Sequence, residues 1–177
     1  MTTTTDSNAV ATRWDGPLGT MLLCASARGL RGVWFEGQAH GPSPAEQSGW
    51  TWVSPRDHVL LAQACHALSA YFAGRLQHFE LPLDLSGQGT PFQQSVWQAL
   101  AGIGHGQTCR YGELAAQVHR PRAVRAVGAA VGRNPLSIVL PCHRVLGASG
   151  QLTGYAGGLE RKQALLDLER LGQPVSA

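Results

Sequence analysis

Between Pro141 and Val145 the chain reads Pro-Cys-His-Arg-Val, which sets a thiol beside an imidazole and a guanidinium at Cys142, His143 and Arg144. Such an electropositive setting can lower a thiol from its reference pKa of about 8.5 and make it a nucleophile. Cysteine is also a common core residue, so packing stands as the other reading of Cys142. Neighbours on a regular strand point to opposite faces, and the two side chains can cooperate only if Pro141 holds the segment in a turn. A carboxylate enters from further along the chain. Glu169 falls on the apolar arc of a helix predicted over Leu159–Leu171, between Leu165 and Leu166, in the final turn where the helix dipole disfavours negative charge. A buried cation or imidazole would compensate it, and His143 is the candidate, the carboxylate orienting the ring and the ring taking the thiol proton. The competing reading is an unpaired Glu at a fraying helix end.

The remaining thiols offer less. Cys24 lies in a predicted strand and Cys65 on the apolar stripe of a predicted helix, both read as core, while Cys109 beside Arg110 is a loop thiol of undecided role. No two of the four cysteines form a CxxC pair, which fits neither a disulfide scaffold nor a zinc finger, and reduced thiols are expected. The formal charge of +3 is too mild for indiscriminate nucleic-acid binding. Its distribution says more: from Gly104 to Gly150 there are six arginines and one acid, so one half of the molecule suits a polyanion better than the other. No apolar run approaches the roughly 20 residues of a membrane span, and the Thr-rich start lacks the apolar stretch of a signal peptide. A cytoplasmic protein without membrane contact is expected.

A second constellation lies in that basic half. Two short helices, one over Tyr111–Val118 and one from Pro121 to about Val131, joined by His119 and Arg120, make a helix-turn-helix candidate. Stepping about 100° per residue puts Val124, Val127, Gly128 and Val131 on one buried face of the second helix. The opposite face carries Arg122, Arg125, Ala126, Ala129 and Arg133, long cations interleaved with side chains too small to hold a neighbouring surface away. That face suits close approach to a phosphate backbone, and a plain solvated face is the alternative.

The elements that must position these groups divide the chain. Residues 12–36 read as short strands joined by tight turns, and 37–49 as a loop. Ser54, Pro55 and Asp57 supply an N-cap, an N1 proline and an acid for an amphipathic helix with Leu61, Ala64, Cys65, Leu68, Tyr71 and Phe72 on its apolar stripe, ending at Gly74. Residues 79–85 alternate as a further strand before a glycine-containing linker. Thr90, Pro91 and Gln93 then open a helix carrying Phe92, Val96, Trp97 and Leu100, stopped by Gly102 and Gly104. The fold class is α+β: an N-terminal α/β domain over residues 1–86, with 1–11 expected to be flexible, and a mostly helical C-terminal domain over 87–177.

Pro141 to Val145, preceded by Asn134-Pro135 and followed by Gly154-Tyr155-Ala156-Gly157-Gly158-Leu159, resembles the active-site signature of the O6-alkylguanine-DNA alkyltransferases. The resemblance spans Thr90 to about Leu171, including Tyr111-Gly112-Glu113-Leu114-Ala115 and Ala123 to Gly128; residues 12–85 match only in the order of their elements. It implies a ribonuclease-H-like first domain and irreversible, single-turnover transfer of a methyl or other alkyl group from guanine O6 in duplex DNA to Cys142. It further implies His143 acting through a water as base, Glu169 orienting it, Tyr111 supplying a proton to the departing guanine, and Arg125 entering the duplex as a finger behind the flipped base. Asn134 would hold the turn, and Val145, Tyr155 and Ala156 would line the base pocket. The helix-turn-helix would lie in the minor groove, against the major-groove habit of that motif. Ala156 stands where some relatives carry a hydroxyl residue. Neither a metal, a cofactor nor an obligate protein partner is expected, a monomer is implied, and the Cys-rich sensor region of related regulators is missing. O4-alkylthymine and bulky adducts stay open. The rival classes are a lesion-binding sensor, which the presence of Cys142 opposes, a cysteine hydrolase, which would turn over repeatedly, and, more distantly, a redox-sensing helix-turn-helix regulator.

Overall fold

The computed structural model describes residues 9–172. Residues 1–8 of the stretch expected to be flexible therefore lie outside the described residues, whereas Val10 and Ala11 already belong to the first strand. Strands β1 (Val10–Gly16), β2 (Gly19–Ser26) and β3 (Gly29–Phe35) form an antiparallel meander, and a two-residue β4 (Thr51–Trp52) adds parallel to β1, giving the order β3-β2-β1-β4. Alternation sorts the side chains. Met21, Leu23, Val33 and Phe35 join the main core, whereas Leu22, Cys24 and Trp34 form a second cluster on the other face with Ala9 and Ala11. Trp50 covers that second face, its ring stacked on Trp34 at 5.9 Å. The segment 37–49 is not wholly loop, since Pro44–Ser48 forms a short α1 with a Ser43–Glu46 capping box.

Helix α2 (Val59–Phe72) lies on the main-core face, with all six stripe residues from Leu61 to Phe72 buried as expected. Its start differs from expectation. Ser54 caps a 3-10 turn over Pro55–Asp57, and α2 is capped four residues later, where His58 Nδ1 accepts the Leu61 N–H at 3.4 Å.

No ladder forms over residues 79–85. Leu83 makes one parallel bridge to Leu30, framed by Leu30 N–H to Pro82 O at 2.7 Å and Asp84 N–H to Leu30 O at 2.9 Å. Pro82 lacks an N–H to extend the pairing, and Asp84 is turned inward onto Ser26 Oγ at 2.6 Å and the Ser86 amide at 3.1 Å. Further along the same β3 edge, Val33 N–H donates to Pro135 O at 2.8 Å and Ser137 N–H to Val33 O at 2.9 Å. Two extended straps thus cover an edge that would otherwise present free backbone groups, and the second strap leads to Cys142.

The second half contains α3 (Pro91–Leu100), with the Thr90–Gln93 capping box in place, α4 (Tyr111–Gln117), α5 (Val124–Gly132) and α6 (Leu159–Leu171). A parallel pair, β5 (Cys109–Arg110) and β6 (Val145–Leu146), was not anticipated. Trp97 Nε1–H donates to Ala130 O at 2.8 Å and locks α3 onto α5. Helix α5 starts three residues after Pro121, because Ala123 N–H bonds Arg120 O at 2.8 Å and closes a turn there. Its buried arc is Val127, Ala130 and Val131; Val124, expected inside, is 38% exposed on the first turn.

Candidate active site

The nucleophile segment is a single 3-10 turn over Cys142–Arg144, closed by Arg144 N–H to Pro141 O at 3.0 Å. The turn that cooperation between Cys142 and His143 required is therefore present. Asn134, 3% exposed, holds the approach to it: Nδ2 donates to Leu140 O at 2.8 Å and to Leu136 O at 3.3 Å, and Oδ1 accepts the Leu136 N–H at 3.0 Å. Within this arch Ile138 is held at φ 72°, a costly conformation for a β-branched residue that the surrounding bonds enforce.

His143 is fully buried, and its Nε2 lies 2.7 Å from Glu169 Oε1. Glu169 is buried, not frayed, and it serves more than one partner. Arg144 donates from Nε to Oε2 at 2.8 Å and from Nη2 to Oε1 at 2.9 Å, Tyr71 O–H donates to Oε1 at 2.6 Å, and the Gly106 amide donates to Oε2 at 3.1 Å. Arg144 Nη1 also bonds the Ile103 carbonyl. Burial alone would raise the Glu169 carboxyl, but hydrogen bonds from His143 and Arg144 outweigh it and hold the group well below the usual carboxylate range. Burial pushes the His143 imidazole below its ordinary value, countered only in part by Glu169, so the ring is neutral near pH 7. With Nε2–H given to Glu169, Nδ1 keeps its lone pair, and no atom of the described residues bonds it.

The thiol behaves otherwise than its neighbours suggest. Cys142 is 4% exposed, and burial pushes it above the ordinary thiol value, against opposing pulls from Asn134 and Lys162. Arg144 does not lower it, because that guanidinium is spent on Glu169 and Ile103. Lys162 on α6 is fully buried, its Nζ donating to Val145 O at 2.6 Å, Thr153 O at 2.8 Å and Gly154 O at 3.3 Å, and burial lowers its pKa to about 8.

Cys142 opens on a cavity of about 230 Å³ whose walls include Tyr111, Tyr155, Ala156 and, from α5, Gly128 and Val131. Tyr111 O–H reaches Thr153 O at 3.5 Å. Val145 is not among the lining residues: it is fully buried in β6, and its carbonyl serves Lys162. Arg122, Arg125, Ala126, Ala129 and Arg133 are all exposed, so the basic, small-residue face is free, with Arg122 on the turn before α5 and Arg133 at its C-terminal cap.

Three participants escaped the sequence reading. Tyr71 was placed on the α2 stripe as core, and its ring is core; only its hydroxyl reaches the Glu169 carboxylate. Arg144 was seen but assigned to the thiol. Lys162 shares the buried arc of α6 with Leu165 and Glu169, and a cation at that spacing was a legible signal. Cys24 and Cys65 are buried in separate clusters, and Cys109 is buried too.

Both halves of the chain match known proteins. Residues 91–171 match the 6-O-methylguanine DNA methyltransferase DNA-binding domain, and residues 10–85 match its ribonuclease-like domain. A methylated-DNA–protein-cysteine methyltransferase of Mycolicibacterium paratuberculosis is 49% identical over 162 residues, covering 92% of this chain and 93% of that protein. The protein of that name from Haemophilus influenzae is 39% identical over 160 residues, covering 90% and 86%. The crystal structure of Mycobacterium tuberculosis OGT in complex with DNA superposes with a TM-score of 0.83 at 43% identity, over 94% of this chain and 95% of that one. With both halves matched and the buried Cys-His-Arg turn lying inside the second, the chain belongs to the 6-O-methylguanine DNA methyltransferase family.

Proposed function

We propose that this protein repairs duplex DNA by moving a methyl or other small alkyl group from guanine O6 to Cys142, once per molecule. The observation that carries the reading is a cysteine at the wall of a base-sized cavity, next in sequence to a neutral histidine that a buried carboxylate orients. A lesion inside the duplex hides its O6 substituent, so the base is flipped out at a cost of a few kcal/mol, which weakened pairing reduces. Arg125 fills the vacated position, Ala126 and Ala129 allow close approach, and Arg122 and Arg133 meet phosphates, the helix-turn-helix lying in the minor groove. Tyr155 and Ala156 hold the base.

The chemistry is a substitution at the alkyl carbon. His143 Nδ1 takes the thiol proton through a water; the sulfur forms a bond to carbon as the C–O6 bond breaks; the pair of that bond stays on guanine, which takes a proton from the Tyr111 phenol, and the proton on His143 returns through water to the phenolate. Glu169 stabilises the transient imidazolium. The product is a thioether with no carbonyl for water to attack, so the thiol is not regenerated. Four unpaired thiols agree with work in the reducing cytoplasm.

Incubation with duplex carrying one labelled O6-methylguanine, followed by peptide mass analysis, tests the proposal. Label on Cys142 at no more than one equivalent is expected. Release of label with repeated turnover would point to a hydrolase, and binding without label to a lesion sensor.

A further inference from the structure

The wall of the Cys142 cavity is not built by the second domain alone. After β3 the first-domain chain turns over residues 36–41 and lays Ala39 and His40 against the cavity. Two bonds staple this turn to the other domain. Ala39 N–H donates to Ala156 O at 3.0 Å, and Gln38 Oε1 accepts from Ser137 Oγ at 3.2 Å while also accepting the Phe35 N–H at 2.8 Å. His40 is held at φ 57°, a left-handed conformation uncommon for a residue with a Cβ. The imidazole borders a second space. A hollow of about 880 Å³ on the outer sheet face, walled by Trp34, Trp50, Pro135 and Arg133, has His40 in its lining as well, and Cys142 is not part of it. At about 230 Å³ the cysteine cavity is smaller than the roughly 300–1,000 Å³ of pockets that take drug-sized ligands. It suits a base with a small alkyl group, and a larger group needs room beyond the cavity.

We propose that His40, a first-domain residue, sets the size of alkyl group accepted: its side chain partitions the cysteine cavity from the larger hollow and excludes arylmethyl groups unless it is displaced. The inference rests on the alkyl-transfer reading of Cys142 and adds to it a determinant of substrate range. An arylmethyl group needs room beyond the cysteine cavity, and His40 is common to the lining of that cavity and of the larger hollow.

The test uses free bases, so that any contact of residue 40 with DNA drops out. Rates of Cys142 alkylation by O6-methylguanine and O6-benzylguanine are measured for the full-length protein and for His40→Gly and His40→Trp, glycine being the residue best suited to the left-handed backbone. The benzyl-to-methyl rate ratio should rise about tenfold or more in His40→Gly and fall in His40→Trp, the range expected when a pocket gains or loses room of methylene size or above. The methyl rate reports whether each variant retains its fold. A ratio unchanged in both variants, with methyl transfer intact, overturns the role of His40 alone. Failure of the unaltered protein to take a methyl group from duplex or free base overturns both readings.

Discussion

Removing one hydroxyl tests whether the first domain governs the proton chemistry of the second. Tyr71 is 1% exposed, with its ring packed on Phe72 and Phe79 at 5.5 Å and on His105 at 6.3 Å. Tyr71→Phe keeps those contacts and deletes the 2.6 Å bond to Glu169 Oε1 together with the longer 3.5 Å contact to His143 Nε2. A hydrogen bond to a charged group contributes about 1.5–3 kcal/mol, and Glu169 keeps its bonds from His143, Arg144 and Gly106, so the loss belongs in that range and not beyond it. For a chain of this size about 2–4 °C accompanies each kcal/mol, and Tm should fall by about 3–12 °C. The kinetic effect has a definite sign. With one donor fewer, the carboxylate acts more strongly on His143 and favours its imidazolium, opposing the burial that lowers the ring and the nearby charges of Arg144 and Lys162. In the proposed mechanism transfer needs neutral His143, so the acidic limb of the single-turnover rate against pH should move to higher pH, while rates well above that limb stay close to those of the unaltered protein. His105, also beside Tyr71, has no contact with the thiol in this scheme. A lowered Tm with an unmoved acidic limb would leave Tyr71 a purely structural role.

The Arg125 finger and the acid response give two further expectations. Arg125→Ala should weaken transfer from duplex far more than from free alkylguanine, measured as single-turnover rates on both substrates; equal losses would remove the finger role. Acidification should destabilise the fold in two steps. His143 is buried neutral with its pKa lowered, so its contribution is complete above about pH 6.5 and declines as the pH falls below that. Asp84 is lowered from 3.8 to about 2 by Ser26, Ser86 and Arg28 against the opposing effect of burial, so its contribution is present above about pH 4 and is lost between there and pH 2. Denaturant unfolding of Asp84→Asn should be less stable near neutrality and show a shallower decline in the second window; an unaltered decline would show that the linker staple is not the acid-sensitive part.

What the sequence makes legible follows from how local each signal is. Caps and apolar stripes are written within a few residues, and α3 and α6 appear as read, as does the stripe of α2 though not its cap, with Glu169 on the buried arc of α6. The turn at Cys142 could be posed as a condition but not decided, since Asn134 and the β3 edge enforce it from a distance. Residues 79–85 show the limit of alternation as evidence: the pattern suits a strand, yet one proline and one inward carboxylate reduce it to a strap. Tyr71 and His40 were illegible as site residues because each is defined by a contact across the domain boundary, where no periodicity reaches. The charge logic also failed locally. Neighbours in sequence suggested that Arg144 would activate Cys142, while folding turned that guanidinium to Glu169 and left burial to decide the thiol.

That reversal suits the single-use acceptor proposed above. A thiol held above its ordinary value is almost wholly protonated at pH 7, so a thiolate exposed to oxidants or stray electrophiles is scarce. Activation must then accompany arrival of the substrate, and the site carries the means: a neutral imidazole with a free Nδ1, a carboxylate whose negative charge is already balanced by Arg144, and a proton path that charges the ring only transiently. A stronger standing base would ionise the sulfur earlier and expend it on the wrong partner. In the proposed reaction Arg144 would therefore serve by moderating Glu169, keeping His143 weak enough to wait and still able to accept the proton when a flipped base fills the cavity.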